Sequence, residues 1–138
     1  MPSRLNKRIA IIVSTPMTLH VFLLHQVCEL ALHFNVTLVT NMEAGDFGLI
    51  KKLPSNIEIH HIPIKRDINV YGDLKAFWLM FRFLSNKKFE LIHSVTPKAG
   101  FLSVTAGFFA RVPHRLHTFT GQVWATKTGL ARLMLKFM

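Results

Sequence analysis

Residues 7–18 read KRIAIIVSTPMT. The part from Lys7 to Ser14 is a short, nearly continuous apolar run, which is typical of a strand buried on both faces in a parallel sheet. Thr15 and Pro16 follow as a helix N-cap and first helical residue. This stretch therefore predicts a buried parallel strand that leads directly into a helix.

The remainder of the chain repeats this alternation. Thr18–Phe34 has the apolar period of a helix, and short β-branched runs separated by glycine and proline predict strands. The further predicted strands are 35–41, 57–62, 89–95 and 114–120, and the further predicted helices are 72–86 and 98–111. The order β-α-β-β-α-β-α-β predicts an α/β fold, with a Rossmann-like parallel sheet and helices on both faces.

Length and composition restrict the class of protein. With 138 residues, half of them hydrophobic, the chain is expected to form one domain. Its formal charge of +10 indicates a polyanionic partner, which is nucleic acid, an anionic membrane surface or a phosphorylated substrate. The single cysteine, Cys28, fits a small core residue in a reducing cytoplasmic setting. No apolar window reaches the roughly 20 residues of a membrane span.

Ligands of such sheets bind beyond the carboxyl ends of the strands, here between the first and fourth strands. Candidate residues in the two nearest loops are Thr15, Met17, Thr18, Thr96 and Lys98. The first loop predicts either a phosphate site at a helix start or an ordinary capped helix. Lys98 opens a helix whose dipole disfavours a cation, so either an anionic ligand or full solvation explains it.

A third loop follows the fifth strand. Residues 118–124 combine hydroxyl groups, a flexible glycine, an amide and an indole, which suits hydrogen bonding and stacking with a sugar. The candidate residues there are Thr120, Gly121, Gln122 and Trp124. The alternative is a capped strand with the indole in the core. The eight histidines are weak evidence for a metal, and none is predicted.

Two segments, residues 92–100 and 117–126, together with residues 14–18, resemble family-four glycosyltransferases, in particular the bacterial members that build capsule and O-antigen polysaccharides. The resemblance implies that residues 1–138 are the N-terminal, acceptor-side half of a GT-B fold. It also implies that the chain is truncated before a C-terminal domain that binds the nucleotide sugar. The expected donor is a UDP-sugar, the expected acceptor is a lipid-linked or other saccharide, and no cofactor is expected.

Two positions depart from the family pattern. Many relatives have histidine where Val95 and Thr120 stand here. A threonine hydroxyl is a poor general base near neutral pH. A retaining transfer does not require a protein base, because the leaving diphosphate can accept the proton. Thr120 is therefore predicted to position the reacting sugar.

The basic charge fits acceptors held at the anionic cytoplasmic leaflet, so a cytoplasmic protein peripheral to the inner face of the membrane is expected. The predicted membrane-facing residues are Trp78, Arg82, Lys87, Lys88, Arg132 and Lys136. The helix Leu74–Leu84 is apolar almost all round, which fits contact with lipid or burial within the protein. The alternative function is a non-catalytic, membrane-docking subunit that presents the acceptor to a separate donor-binding chain. A nucleic-acid partner is disfavoured, because the aromatic residues do not interleave with Lys and Arg.

Overall fold

The computed structural model describes residues 6–44, 47–119 and 129–130. Its centre is a sheet of five parallel strands in the order β3-β2-β1-β4-β5. The strands are β1 (Arg8–Ile12), β2 (Asn35–Thr40), β3 (Glu58–His61), β4 (Leu91–Ser94) and β5 (His114–His117). The prediction of a Rossmann-like parallel sheet is confirmed.

Helices cover both faces of this sheet. They are α1 (Pro16–Phe22), α2 (Leu24–His33), α3 (Phe47–Ile50), α4 (Val70–Lys87) and α5 (Pro97–Phe109), with a single 3-10 turn at Met42–Ala44. Alternate residues of β1 enter two different apolar clusters. Ile9, Ile11 and Val13 pack with α1 and α2, whereas Ala10 and Ile12 pack with α4 and α5. Both faces of β1 are therefore buried, as its continuous apolar sequence requires.

The helix predicted at Thr18–Phe34 is divided in two. Leu23 separates α1 from α2 with φ −127° and ψ −5°, although its N–H still donates to Leu19 O. The bend aligns Leu19, Leu23 and Val27 against the sheet, and all three are buried. Two apolar residues of the predicted helix, Val21 and Leu32, are exposed instead. Packing against the sheet therefore divides the helix, although the sequence has the period of one continuous helix.

Helix α4 begins two residues before its predicted start. The Asn69 side chain caps it by accepting a hydrogen bond from Gly72 N at 3.1 Å. Ala76, Met80, Phe83 and Leu84 form its buried face. Burial in the core therefore accounts for the apolar residues on only one side of this helix.

The order of the strands places the carboxyl ends of β1 and β4 side by side. Ile12 pairs with Ser94, and Val95 N donates to Ile12 O at 3.3 Å. After β1 the chain leads to β2 on one side of this pair, whereas after β4 it leads to β5 on the other side. This is the switch point at which doubly wound sheets bind ligands.

Candidate functional site

The turn after β1 is a fully formed helix cap. Thr15 Oγ1 accepts from Thr18 N at 3.4 Å and lies 3.0 Å from Thr18 Oγ1. Both threonines are buried, and Pro16 occupies the first turn of α1 as predicted. Met17 points outward and is 63% exposed. The threonine hydroxyls are thus engaged in holding the turn, and their contact with a substrate stays a prediction.

Lys98 has an internal partner for its charge. Its ammonium group forms an ion pair with Asp73 Oδ1 at 2.6 Å and also donates to the carbonyl of Asp67. Lys98 is buried, so the interpretation as a solvated lysine was wrong. The anion that compensates its position at a helix start is a carboxylate of α4. The pair ties the N-terminal ends of α4 and α5 together at the carboxyl edge of the sheet.

Thr96 lies at the N-cap of α5 but makes no capping hydrogen bond with its side chain. Its Oγ1 is buried and has no hydrogen-bond partner within the described part of the chain. A buried hydroxyl without a partner is costly compared with one that is hydrogen-bonded. Of the predicted substrate-binding residues that the structure describes, Thr96 therefore has the hydroxyl best placed to gain a partner.

Two histidines lie at the ends of β4 and β5. His93 Nε2 is 2.8 Å from Thr118 Oγ1, and His117 Nδ1 is 2.9 Å from Ser94 Oγ. Burial lowers the pKa of His93, and the nearby His117 lowers it further. Burial also lowers the pKa of His117, against a smaller opposing effect of a hydrogen bond with the Ser94 backbone. Both rings therefore favour the neutral state, in which one nitrogen donates and the other accepts.

These pKa shifts predict that the fold loses stability in mild acid. Below about pH 6.5 the histidines of an unfolded chain take up protons, whereas the buried ring of His93 and the partly buried ring of His117 resist protonation. The free energy of unfolding should therefore fall as pH decreases from 7 toward 5, as measured by urea denaturation at each pH. His93→Gln should flatten this dependence. The same substitution at His33, which is exposed on α2, is the control. An equal slope in wild type and His93→Gln would contradict the prediction.

Sequence reasoning missed this histidine and hydroxyl cluster, because it treated the eight histidines mainly as metal candidates. The cluster depends on the register of β4 and β5, which pairs Ser94 with His117. Within the described ranges no group of three or more His, Cys, Asp or Glu residues is arranged to hold a metal ion.

Several predicted site residues lie outside the described residues. They are Thr120, Gly121, Gln122 and Trp124 of the third loop and Arg132 and Lys136 near the end of the chain. Their roles stay predictions. The described end of this loop is Phe119, which is 81% exposed and packs edge-on against the His117 ring.

The predicted membrane-facing residues separate into two groups. Trp78 and Arg82 are exposed and follow each other by one turn on the outer face of α4. Lys87 is held by Glu58 through a 2.5 Å ion pair, and Lys88 ends the helix in the left-handed conformation with φ 51°. The two lysines therefore lie at the far end of α4, about 27 Å from its start.

Comparison with known proteins adds the relation to sugar transfer. No family model matches the chain. A capsular polysaccharide biosynthesis glycosyltransferase, CapM of Staphylococcus aureus, is 35% identical over 79 residues, which cover 57% of this chain and 21% of CapM. An Escherichia coli UDP-Gal:alpha-D-GlcNAc-diphosphoundecaprenol alpha-1,3-galactosyltransferase is 26% identical over 107 residues, which cover 76% of this chain and 27% of that enzyme. The chain is therefore similar in sequence to two glycosyltransferases.

The fold agrees with this relation. The structure of Acinetobacter baumannii MurG matches 95% of this chain with a TM-score of 0.60 at 16% identity, and the match covers 39% of MurG. The chain thus has the fold of one half of a GT-B protein. A C-terminal domain of PF1911 hydrogenase from Pyrococcus furiosus also matches, with a TM-score of 0.53 at 10% identity. Because unrelated proteins share this architecture, the fold alone does not determine the function. The chain aligns with about a quarter of the length of its curated relatives.

Proposed function

We propose that this chain is the acceptor-side domain of a glycosyltransferase that moves a sugar from a nucleotide-sugar donor to a lipid-linked acceptor in surface polysaccharide synthesis. The main support is sequence similarity to two glycosyltransferases, one of which is named for a diphosphoundecaprenol-linked acceptor. The chain takes the half of the GT-B fold that meets the acceptor, and the donor, a UDP-sugar, binds to a partner domain. The cleft between the domains faces the carboxyl edge of β1, β4 and β5.

The described residues at this edge support binding and orientation. Thr96 Oγ1 offers a hydroxyl without a hydrogen-bond partner among the described residues, and the neutral His93 ring offers hydrogen bonds beside Thr118. None of the described side chains there forms a pair of carboxylates that would supply acid and base. In a retaining transfer the donor diphosphate accepts the proton, while Thr120 positions the sugar.

The transfer is tested with a polypeptide that joins this chain to a nucleotide-sugar-binding domain. Radiolabel from a panel of UDP-sugars should enter the lipid fraction of membranes that contain lipid-linked diphosphate sugars. The same membranes stripped of these lipids should acquire no label. Failure of every donor to label the lipid would overturn the proposed function. Transfer that appears only when a separate donor-binding chain is added would favour the acceptor-presenting subunit.

The domain acts as a peripheral protein at the anionic cytoplasmic leaflet. Tyr71, Leu74 and Trp78 form an exposed stripe on α4, each at least 59% exposed. No helix of the described residues is long and apolar enough to cross a bilayer. A stripe of this kind, with Lys75 and Arg82 beside it, suits the interface between acyl chains and anionic headgroups. In α4 and α5 together, the only acidic residue is Asp73, which Lys98 neutralises.

Substitution of the stripe should weaken membrane binding. Trp78→Ala should reduce the partition coefficient onto vesicles of phosphatidylglycerol and phosphatidylcholine by at least tenfold, because inserting a large apolar side chain contributes about 1.5–3 kcal/mol. Arg82→Gln should reduce it about fivefold at low salt, since each basic residue contributes about 1 kcal/mol. Vesicle cosedimentation measures both effects.

The matched control is Leu32→Ala, since Leu32 is 58% exposed on α2 on the opposite side of the sheet. It should leave partitioning unchanged. An equal loss in Leu32→Ala and Trp78→Ala would show that binding is not confined to α4.

A further inference from the structure

A cavity of about 370 Å³, lined mostly by polar and charged residues, lies beside the exposed stripe of α4. It is enclosed by the segments that follow β2 and β3 and by the first turns of α4. Its lining residues include Glu43, His61, Lys65, Asn69, Asp73 and Lys75. Since the segments that follow parallel strands meet at the carboxyl edge of the sheet, the cavity opens at the same edge as the switch point, beyond β2 and β3.

An apolar hollow of about 460 Å³ adjoins this cavity on the same helix. Tyr71, Leu74, Phe77 and Trp78 line it, and Lys75 lines both spaces. Gly72, Lys75 and Leu79 of the cavity follow one stripe of α4, whereas Tyr71, Leu74 and Trp78 follow the neighbouring stripe, one residue behind. Polar and apolar spaces are therefore adjacent along two turns.

The charges of the cavity favour an anion. Lys65 and Lys75 are exposed cations, while the Asp73 carboxylate is already neutralised by Lys98 at 2.6 Å. Among the described residues that line the cavity, this leaves two ammonium groups against the carboxylate of Glu43. The N-terminal end of the 18-residue helix α4 adds the positive end of its dipole.

The neutral polar groups of the cavity are arranged as donors. Asn69 Oδ1 accepts from Gly72 N, so the remaining polar atom of this side chain is the amide nitrogen with its two N–H groups. His61 Nδ1 accepts from Met42 N at 3.0 Å, which places the proton of the neutral ring on Nε2. Two lysines, an amide nitrogen and an imidazole N–H match the many acceptor oxygens of a phosphate or diphosphate.

We propose that this cavity binds the diphosphate of a lipid-linked acceptor, whose hydrocarbon chain leaves along the hollow of Tyr71, Leu74 and Trp78 into the bilayer. The inference rests on the proposed function and names the residues that recognise this class of substrate. Lys75 lies where the diphosphate meets the hydrocarbon chain. The Asp73–Lys98 pair links the cavity to the start of α5, beside the switch point where the sugar is transferred.

Binding to three kinds of vesicle tests the proposal. One set contains undecaprenyl diphosphate in phosphatidylcholine, the second contains phosphatidylglycerol at equal negative charge, and the third contains undecaprenol. We expect the chain to bind the diphosphate vesicles at least tenfold more tightly than the phosphatidylglycerol vesicles. Soluble inorganic diphosphate at millimolar concentration should compete for this preference, because it occupies the same donors.

Substitutions of residues that line the cavity test whether the cavity causes the preference for diphosphate vesicles. Lys65→Gln/Lys75→Gln should reduce it to less than twofold, whereas Glu43→Gln should increase it. Lys52→Gln, which removes an exposed lysine that does not line the cavity, should leave it unchanged. Trp78→Ala should weaken binding to both kinds of anionic vesicle and should also reduce the preference, because Trp78 lines the hollow along which the undecaprenyl chain leaves.

The outcomes separate this inference from the proposed function. If the wild-type chain shows no preference for diphosphate vesicles, the proposal that its acceptor is lipid-linked is overturned. A preference that persists in Lys65→Gln/Lys75→Gln, or that falls equally in Lys52→Gln, would overturn the cavity as its site while leaving sugar transfer standing. Circular dichroism of each variant confirms that the fold is retained.

Discussion

Lys98→Met should lower the free energy of unfolding by about 2–3 kcal/mol. The substitution conserves volume but leaves the Asp73 carboxylate without the ammonium group at 2.6 Å. Removing one partner of a buried pair costs more than removing both, because the remaining charge stays poorly solvated. The Asp73 side chain keeps 23% exposure, so the loss lies below the value for a fully buried pair.

Urea denaturation of the chain at pH 7 measures the loss, and two further variants interpret it. Asp73→Asn/Lys98→Met should recover part of the stability, because no charge remains unpaired. Lys52→Met, at an exposed position, should change the free energy by less than about 0.5 kcal/mol. If Lys98→Met is as stable as Lys52→Met, the ion pair contributes nothing to joining α4 and α5.

Gly100→Ala should cost about 2 kcal/mol, even though alanine is the better helix former. A Cβ at position 100 would lie 2.3 Å from His117 Cε1 and 2.4 Å from His117 Nδ1. The ring cannot move freely, because Ser94 Oγ holds its Nδ1 at 2.9 Å. The substitution must therefore displace the ring from Ser94 or shift α5 away from β5.

Gly72→Ala is the matched control for this prediction. A Cβ there meets Asn69 Cγ at 3.4 Å, an ordinary contact, so the control should be neutral or stabilising. His117→Ala/Gly100→Ala should cost less than the sum of the two single substitutions, since the clash is absent. Thermal denaturation of the four variants provides the comparison. A stable Gly100→Ala chain would show that the ring has room to turn.

The sequence predicted the fold well because its signals are local. The apolar run at residues 7–14 and the alternation after it predicted five parallel strands, and all five are present. The boundaries of α1 and α2 were wrong because Leu23 bends the chain to reach the sheet, a requirement of tertiary packing. The exposure of Trp78 was also undecided, since an apolar helix is compatible with burial or with a lipid surface.

The candidate site was only partly predictable. Thr15 and Pro16 were placed correctly, because a helix cap is encoded within four residues. The partner of Lys98 was not, because Asp73 lies 25 positions away on another helix. The pairing of His93 with Thr118 likewise depends on the register of β4 and β5.

The sequence by itself determined a doubly wound α/β domain and its strand order along the chain, because buried strands and helix caps depend on neighbouring residues. It also determined the resemblance to glycosyltransferases. Only the tertiary structure decided that Lys98 is neutralised internally and that Lys65 and Lys75 line one cavity beside the exposed stripe of α4. Charge pairing and cavity lining depend on distances between residues far apart in the chain. Those distances are fixed only when the helices pack on the sheet.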